Sequence, residues 1–440
     1  MARKRVVLIG AAGRDFHDFN TVFRENEEFD VVAFTATQIP DIEGRVYPPS
    51  LAGKLYPRGI PIEPMDDLEK LIAELEVDVC YFCYSDISYQ DVMSVGARVL
   101  SAGAEFAFLG PFETMLPASK PVIAVVAART GCGKSQTARF LTRELNEMGQ
   151  RVAVVRHPMP YGNLEAQRVQ KFETIEDLSR QHCTIEEMEE YEPHITAGNV
   201  VFAGVDYAEV LAAAEEAADV VLWDGGNNDT CFFRPRLTIT LTDPHRAGHE
   251  LSYYPGELNL RFADVVLINK VDTGDSQQIA AMERNVRSVN PRAQILHARS
   301  PVVAEHPELI QGRRVLAVED GPTVTHGGMS FGAAYIAATE HQAAEIIDPR
   351  QYATGSIQDA YRKYPHLKNV LPALGYSEAQ LTELAETIAR VPCDAVLVGT
   401  PIDLSRVIGI QQPTVRVQYS LEEVKPGALR SVLEQTLLSG

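Results

Sequence analysis

Short apolar runs alternate with helix-period segments along this chain, and the alternation changes character near residue 118. Before that point, 5–9, 29–36, 77–84 and 107–110 are apolar runs of strand length. Residues 66–75 place Leu68, Leu71, Ile72 and Leu75 on one helical face. The stretch 111–121 carries three prolines and no apolar period, as a linker would. Beyond it, strands are predicted at 122–127, 152–155, 200–203, 220–223, 237–241, 265–268, 295–298 and 315–318. A helix is predicted from Ser135, with Ala138, Leu141, Leu145 and Met148 on one face and Gly149 ending it. A late run, 395–399, follows a helical segment at 378–389 and is expected to rejoin the same sheet. Near-continuous apolar strands with helices between them indicate a parallel sheet buried on both faces. The expected class is α/β, with a Rossmann-like N-terminal domain over 1–118. A nucleotide-binding domain with a mostly parallel sheet and a C-terminal elaboration would fill 119–440.

Composition narrows the function classes. The 440 residues are 45% hydrophobic and 23% charged, ordinary for a globular protein, and no apolar run approaches a bilayer span. The opening Met-Ala-Arg-Lys-Arg is followed by only five apolar residues, Val-Val-Leu-Ile-Gly, too few for a signal peptide, so it reads as a first strand. Six cysteines without framework spacing suit a reducing compartment, and a cytoplasmic location is expected. Cys80 and Cys83 fit Cys-x-x-Cys inside an apolar strand and read as buried structural residues. The acidic run 186–192 reads as a solvated helix face. The net charge of −20 argues against nucleic-acid and membrane-surface partners. An anionic ligand would then need cations concentrated at its own site.

The chemistry begins at Ala128-Arg129-Thr130-Gly131-Cys132-Gly133-Lys134-Ser135, which follows a strand and opens a helix. That is the layout of a P-loop, with Ala128 where the first glycine usually stands. Backbone N–H groups of Thr130 to Gln136 would cradle phosphate oxygens at a helix N-terminus. Lys134 would reach the β- and γ-phosphates, and Ser135 would ligate Mg²⁺. Asp224 ends the apolar strand 220–223 and precedes Gly225-Gly226-Asn227-Asn228-Asp229, a Walker-B-like arrangement that would complete the Mg²⁺ site. Asn269-Lys270-Val271-Asp272 follows another strand and resembles the base-recognition motif of GTPases. There Asn269 and Lys270 would contact the purine, and Asp272 would read guanine. The loop also resembles the deviant P-loop of the SIMIBI class, with Arg129 at the place of the lysine that often crosses a dimer. Arg129 would act as an arginine finger or pair locally with a carboxylate.

Basic clusters fall at predicted strand ends: Arg156-His157, Arg234-Pro-Arg236, His245-Arg246, His326-Gly-Gly, and Arg14 with His17 after Gly10-Ala-Ala-Gly13. In open α/β sheets ligands bind beyond the carboxyl ends of strands. Convergence there would make an anion pocket beside the triphosphate, which a simple switch GTPase does not need.

Together these motifs resemble the cyclic 2,3-diphosphoglycerate synthetase family. The resemblance rests on residues 10–20, 128–135, 156–162, 223–229 and 243–250, extended by 254–261 and 326–329, and spans both expected domains. It implies a cytoplasmic homodimer that uses Mg²⁺ and ATP to close 2,3-diphosphoglycerate into a cyclic phosphoanhydride, releasing ADP and phosphate. Catalysis would rest on Lys134, Arg129, Asp224, Arg156 and His157. The substrate would be gripped by Arg14, His17, Arg156, His157, Arg234, His245, Arg246 and His326. A regulatory or metallochaperone GTPase and a small-molecule P-loop kinase are the alternatives.

Overall fold

The computed structural model describes residues 3–10, 13–36, 44–159, 162–226, 229–325, 327–374, 378–400 and 404–438. Three α/β layers build it. The first sheet holds β1 (Lys4–Ile9), β2 (Phe29–Ala36), β3 (Val46–Tyr47), β4 (Ile60–Pro64), β5 (Val79–Phe82) and, past a short β6 (Ile87–Ser88), β7 (Glu105–Ala107). Its order is β3-β4-β2-β1-β5-β7, parallel except for the β3–β4 pair. Apolar clusters cover both faces, one around Leu8 and Phe34 and one around Ile9 and Val99. This burial explains why its central strands are continuous apolar runs.

The second sheet contains β8 (Val122–Ala127), β9 (Val152–Arg156), β10 (Gln170–Phe172), β11 (Val200–Ala203), β12 (Val220–Trp223) and β13 (Leu237–Thr242). After β14 (Tyr253–Tyr254), it adds β15 (Val265–Ile268) and β16 (Gln294–Arg299). The order β10-β11-β9-β12-β8-β13-β15-β16 places β8 at the centre, between β12 and β13. All six residues of β8 are buried. The seven strands from β11 to β16 run parallel, and the edge strand β10 is reversed. The helix Lys134–Glu147 buries Ala138, Leu141 and Leu145 against this sheet.

The third layer corrects an expectation. After β17 (Val302–Ala304), β18 (Arg314–Asp320) and β19 (Glu345–Ile346) come β20 (Leu371–Ala373), β21 (Ala395–Gly399) and β22 (Thr414–Tyr419). They form a separate sheet, ordered β17-β22-β21-β18-β19 with β20 also on β18. Residues 315–318 and 395–399 therefore do not join the P-loop sheet. They pair with each other, and their two faces are covered by two further apolar clusters. Strand period identifies a buried strand but not its partner. The chain returns to the second sheet only through β23 (Glu422–Glu423) on β16 and the final helix Ala428–Leu438, which packs on Leu145.

The first two layers are tied together. The stretch expected as a linker contains a helical turn, Pro111–Thr114, and a bridge from Leu116 to Phe233. Strand β6 pairs antiparallel with β14, joining the end of β5 to the P-loop layer. Among the described residues, no helix is long and apolar enough to cross a membrane.

Candidate active site

The loop after β8 turns on two glycines with left-handed backbone, Gly131 (φ +82°) and Gly133 (φ +106°). A Cβ on Gly133 would overlap the side-chain amides of Asn269 and Gln136, so glycine is required twice over. Asn269, at the end of β15, donates from Nδ2 to the carbonyl of Cys132 at 2.9 Å. Lys270 donates from Nζ to the carbonyl of Gly131 at 2.7 Å and pairs with Asp243 at 2.9 Å. Gln136 bonds Ser300 at 3.0 Å, and Asp272 accepts the Ser300 N–H at 3.1 Å. In this structure Asn269 and Lys270 brace the phosphate loop, and Asp272 secures the neighbouring turn. Thr130, Lys134 and Ser135 lie on the same loop and first helical turn.

Beyond β12, Asp224 is fully buried and ion-paired with Arg156, which is itself 2% exposed at the end of β9. Arg156 also pairs with Glu190, with Nε donating to Glu190 at 3.2 Å. His194 approaches Asp224 at 3.5 Å. Burial pushes the Asp224 carboxyl up, but Arg156, His194 and Lys134 outweigh it and hold it below the usual carboxylate range. Burial lowers the Lys134 ammonium, while Asp224 opposes that shift. Arg156 and His194 both approach Oδ2 of Asp224, and Oδ1 has no hydrogen-bond donor among the described residues. Oδ1 keeps its lone pairs for a cation, and Ser135, on the first turn of the helix that follows the loop, is exposed. This donor set fits Mg²⁺.

The helix Ile185–Thr196 supplies Glu190 and His194 to this cluster and corrects the reading of its acidic run. Glu187 is 3% exposed, closes a capping box with Thr184 and accepts the Met159 N–H at 2.7 Å. Glu190 holds Arg156, and the Tyr191 hydroxyl donates to the His157 carbonyl at 2.8 Å. This face turns toward the end of β9 because Tyr191 and Ile195 join the core there.

Next to this cluster, the N-terminal layer closes over the P-loop layer. Arg14 pairs with Asp18 at 3.5 Å and Asp229 at 3.4 Å, donates to the Thr230 carbonyl and lies 4.7 Å over the Phe232 ring. His17 stacks on Phe232 at 4.0 Å and bonds the Thr114 carbonyl at 2.8 Å. His157 sits among Tyr207, Trp223 and Phe232. Its Nδ1 is 3.0 Å from the Tyr207 hydroxyl, and its Nε2 is 3.6 Å from Asp229. Burial, then Arg156 and Arg14, pushes the His157 imidazole down to about 3. Burial and Arg14 also hold His17 well below the usual range. Burial raises the carboxyl of Asp18 to about 6 and also raises that of Asp229, against the pull of Arg14.

These facts revise the expected anion pocket. Arg14, Arg156 and Arg246 do converge near the loop, but each is matched to a carboxylate; Arg246 pairs with Asp243 at 3.2 Å and lies 3.6 Å from the Cys132 sulfur. His17 and His157 are neutral because burial and the neighbouring arginines both disfavour the charged ring. Arg234 is a correction: the Arg236 N–H bonds Val122, the first residue of β8, so 234–236 lies at the amino end of the sheet, away from the loop. His245 is exposed and bonds the Thr273 hydroxyl at 2.9 Å, beside the Asn-Lys-Val-Asp turn. His326, Asn227 and Asn228 lie outside the described residues. Arg129 pairs locally, with Asp86 at 2.7 Å.

Sequence reasoning missed Asp18, Asp86, Glu190, His194 and Tyr207. Their only sequence signal was position after an apolar run or on an amphipathic helix, which many residues share. Cys80 and Cys83 are buried as expected, and burial pushes the Cys80 thiol up to about 12.

Comparison with known proteins bears on this site. Over 433 residues the chain is 58% identical to arginine synthetase ArcE of Thermococcus kodakarensis, covering 98% of this chain and 97% of that protein. This chain belongs to that synthetase family. Residues 211–297, from the helix before β12 to β16, match the model described as CobW/HypB/UreG, nucleotide-binding domain. Membership of a synthetase family and a nucleotide-binding domain are therefore shown, and the product in the relative's name differs from the cyclic phosphate expected above. Two solved structures are more distant. LpxK of Aquifex aeolicus in complex with ATP is 12% identical with a TM-score of 0.45, covering 73% of this chain and 90% of that one. Cobyrinic acid a,c-diamide synthase of Mycobacterium smegmatis with bound ATP analog and magnesium is 15% identical with a TM-score of 0.19, covering 50% and 78%.

Proposed function

We propose that this chain is an ATP-dependent synthetase that makes arginine from its ureido counterpart, citrulline, and ammonia. The observation that carries the reading is the near full-length identity with an arginine synthetase. The chemistry suits the site. A ureido carbon is a poor electrophile. Transfer of the γ-phosphoryl to its oxygen makes phosphate the leaving group, and ammonia then displaces it. One ATP is consumed, and ADP and phosphate are released with arginine.

The chain's groups divide this work. The loop from Thr130 to Gln136 cradles the phosphates, and Lys134 follows the charge on the transferring group. Ser135 and Asp224 hold Mg²⁺, which neutralises phosphate charge when bound. Asn269 and Lys270 fix the loop, and Asn269 or His245 borders the base. One oxygen of Asp272 is already taken by the Ser300 N–H, which favours adenine over a guanine reader. The acceptor lies toward Arg14, Asp18, His157 and Asp229. Carboxylates balance the arginines there, and the histidines are uncharged. That balance suits a zwitterionic amino acid. Arg156 positions Asp224 rather than gripping substrate. The protein works as a cytoplasmic homodimer in this reading, which light scattering and fractionation test.

A second reading, closure of 2,3-diphosphoglycerate to its cyclic anhydride, is favoured by the long motifs at 10–20, 156–162 and 243–250. It requires surplus positive charge around a highly anionic acceptor, and the paired arginines weaken it. One experiment separates the two. Protein with Mg-ATP, citrulline and ammonium is assayed for arginine with equimolar ADP and phosphate, and a parallel sample with 2,3-diphosphoglycerate is followed by ³¹P NMR. Arginine without a cyclic pyrophosphate signal is expected. The cyclic signal without arginine would reverse the assignment.

A further inference from the structure

Two layers hold the side chain of Arg129, the second residue of the phosphate-loop motif. Its Nε donates to Asp86 Oδ1 at 2.7 Å, and its Nη1 lies 2.8 Å from His249 Nδ1. Burial and then Arg129 itself lower the His249 imidazole, so the neutral ring accepts this bond. The guanidinium lies 3.7 Å over the Tyr253 ring. Asp86 comes from the N-terminal layer, where it follows β5 with left-handed backbone at φ +59°. The next two residues are β6, which pairs with Tyr253–Tyr254. One two-stranded ribbon thus carries both the carboxylate and the ring that clamp Arg129. Asp86 also acts electrostatically on Lys134 and Arg246, which places its charge beside the phosphate site. Among the described residues, these three contacts leave the Nη2 edge of the fork without a hydrogen bond.

We propose that Arg129 is an arginine finger acting within its own chain, and that Asp86 is the positioning residue that aims it. The proposal rests on the phosphoryl-transfer reading above. In the step it serves, the bond from the γ-phosphorus to the bridging oxygen breaks and a bond to the acceptor oxygen forms. ADP leaves with the electron pair, and Arg129 only donates hydrogen bonds to the transferring oxygens. A planar, two-sided clamp removes the side-chain entropy that such a contact otherwise costs. Because the carboxylate belongs to the N-terminal layer, the finger is set only when that layer is docked.

Subunit mixing tests this. Arg129→Ala and Lys134→Ala chains carrying different tags are co-expressed, and any mixed dimer is isolated. ADP release from Mg-ATP is measured with citrulline plus ammonium and, separately, with 2,3-diphosphoglycerate. A finger acting in its own chain leaves every site of the mixed dimer defective, so no activity returns. Recovery of about half the wild-type rate would place the finger across the dimer and overturn the proposal. A wild type that turns over as a monomer supports it directly. Arg129→Ala alone should lose on the order of 10³ in kcat, and Arg129→Lys should not restore it. Near-normal kcat in Arg129→Ala also overturns the proposal, provided Lys134→Ala is inactive. If Lys134→Ala stays active, the phosphoryl-transfer reading itself has failed. Asp86→Asn should lower kcat on the order of tenfold with nucleotide Kd nearly unchanged, and Asp86→Glu should recover part. Weaker nucleotide binding at constant kcat would remove Asp86 from the positioning role. Melting curves on each variant check that the fold persists.

Discussion

His157 shows how burial changes what a residue type can do. Next to Arg156 and after a strand, it reads in sequence as a phosphate-binding cation. Packed among Tyr207, Trp223 and Phe232, it stays neutral to about pH 3. The sign of the linkage follows. The unfolded chain takes up this proton near pH 6.5, while the folded chain resists it to about 3. Stability from this group is therefore complete above pH 6.5 and falls as the pH drops toward 3. The slope approaches about 1.4 kcal/mol per pH unit for one proton. His157→Gln should flatten the acid side of the stability curve by about one proton, measured by denaturant unfolding across pH 4–7. An unchanged slope would mean that the imidazole is not buried neutral. Gly133 makes a second residue-scale case. Gly133→Ala adds a Cβ to a left-handed position already filled by the Asn269 and Gln136 amides. Strain alone costs about 1–2 kcal/mol, and the bracing of the loop is lost as well. Nucleotide affinity by calorimetry should fall at least tenfold, and wild-type affinity in this variant would mean the loop relaxes freely.

At the scale of elements, periodicity exposed the central strands of the first two layers, because parallel strands buried on both faces are continuous apolar runs, and missed β4 and the short strands β3, β6, β10, β14 and β23. It identified Lys134–Glu147 through the stripe Ala138, Leu141, Leu145. It could not assign residues 315–318 and 395–399 to their own sheet, since a strand's burial does not encode its neighbour. The order of strands also decided Arg234, which follows the Asp224 segment in sequence but has crossed to the amino edge before β13 begins. The acidic run on Ile185–Thr196 misled for a related reason: Glu190 faces a buried arginine and Glu187 the Met159 N–H, partners that sequence distance conceals. The Asn-Lys motif was legible as a motif, yet its contacts run to the loop backbone and to Asp243. Asn269→Ala should therefore release the Cys132 carbonyl and weaken Mg-nucleotide binding about tenfold, the value of one buried hydrogen bond. Adenine and guanine nucleotides should suffer alike, since the lost contact is to the loop. A selective loss for one base would show that Asn269 reads the purine instead.

At the scale of the whole molecule, a chain of net charge −20 places its arginines at the seam between its first two layers. Arg14–Asp229, Arg24–Asp206 and Arg129–Asp86 each join the N-terminal layer to the P-loop layer. These seam pairs differ from Arg151–Asp219, whose arginine side chain is 65% exposed and which salt should screen. Arg14 is the most deeply buried of the seam cations, with side-chain exposure of 9% beside Asp18 at 2% and Asp229 at 6%. Removing its charge leaves two buried carboxyls without their cation, and their protonation would rise further. Arg14→Met keeps most of the side-chain volume on Phe232 and removes the charge together with the hydrogen bond to the Thr230 carbonyl. It should destabilise by about 3–5 kcal/mol at neutral pH, the usual cost of breaking a buried pair. Because protonated carboxyls need no partner, the loss should shrink as the pH falls toward 5. Asp229→Asn in the Arg14→Met background should recover part of it. Added salt should rescue neither variant, because the seam is closed to solvent. Calorimetry of the wild type and the two variants at pH 5 and pH 8 measures this. A pH-independent loss, or no recovery in the double variant, would show that Arg14 acts through packing on Phe232 and not through charge.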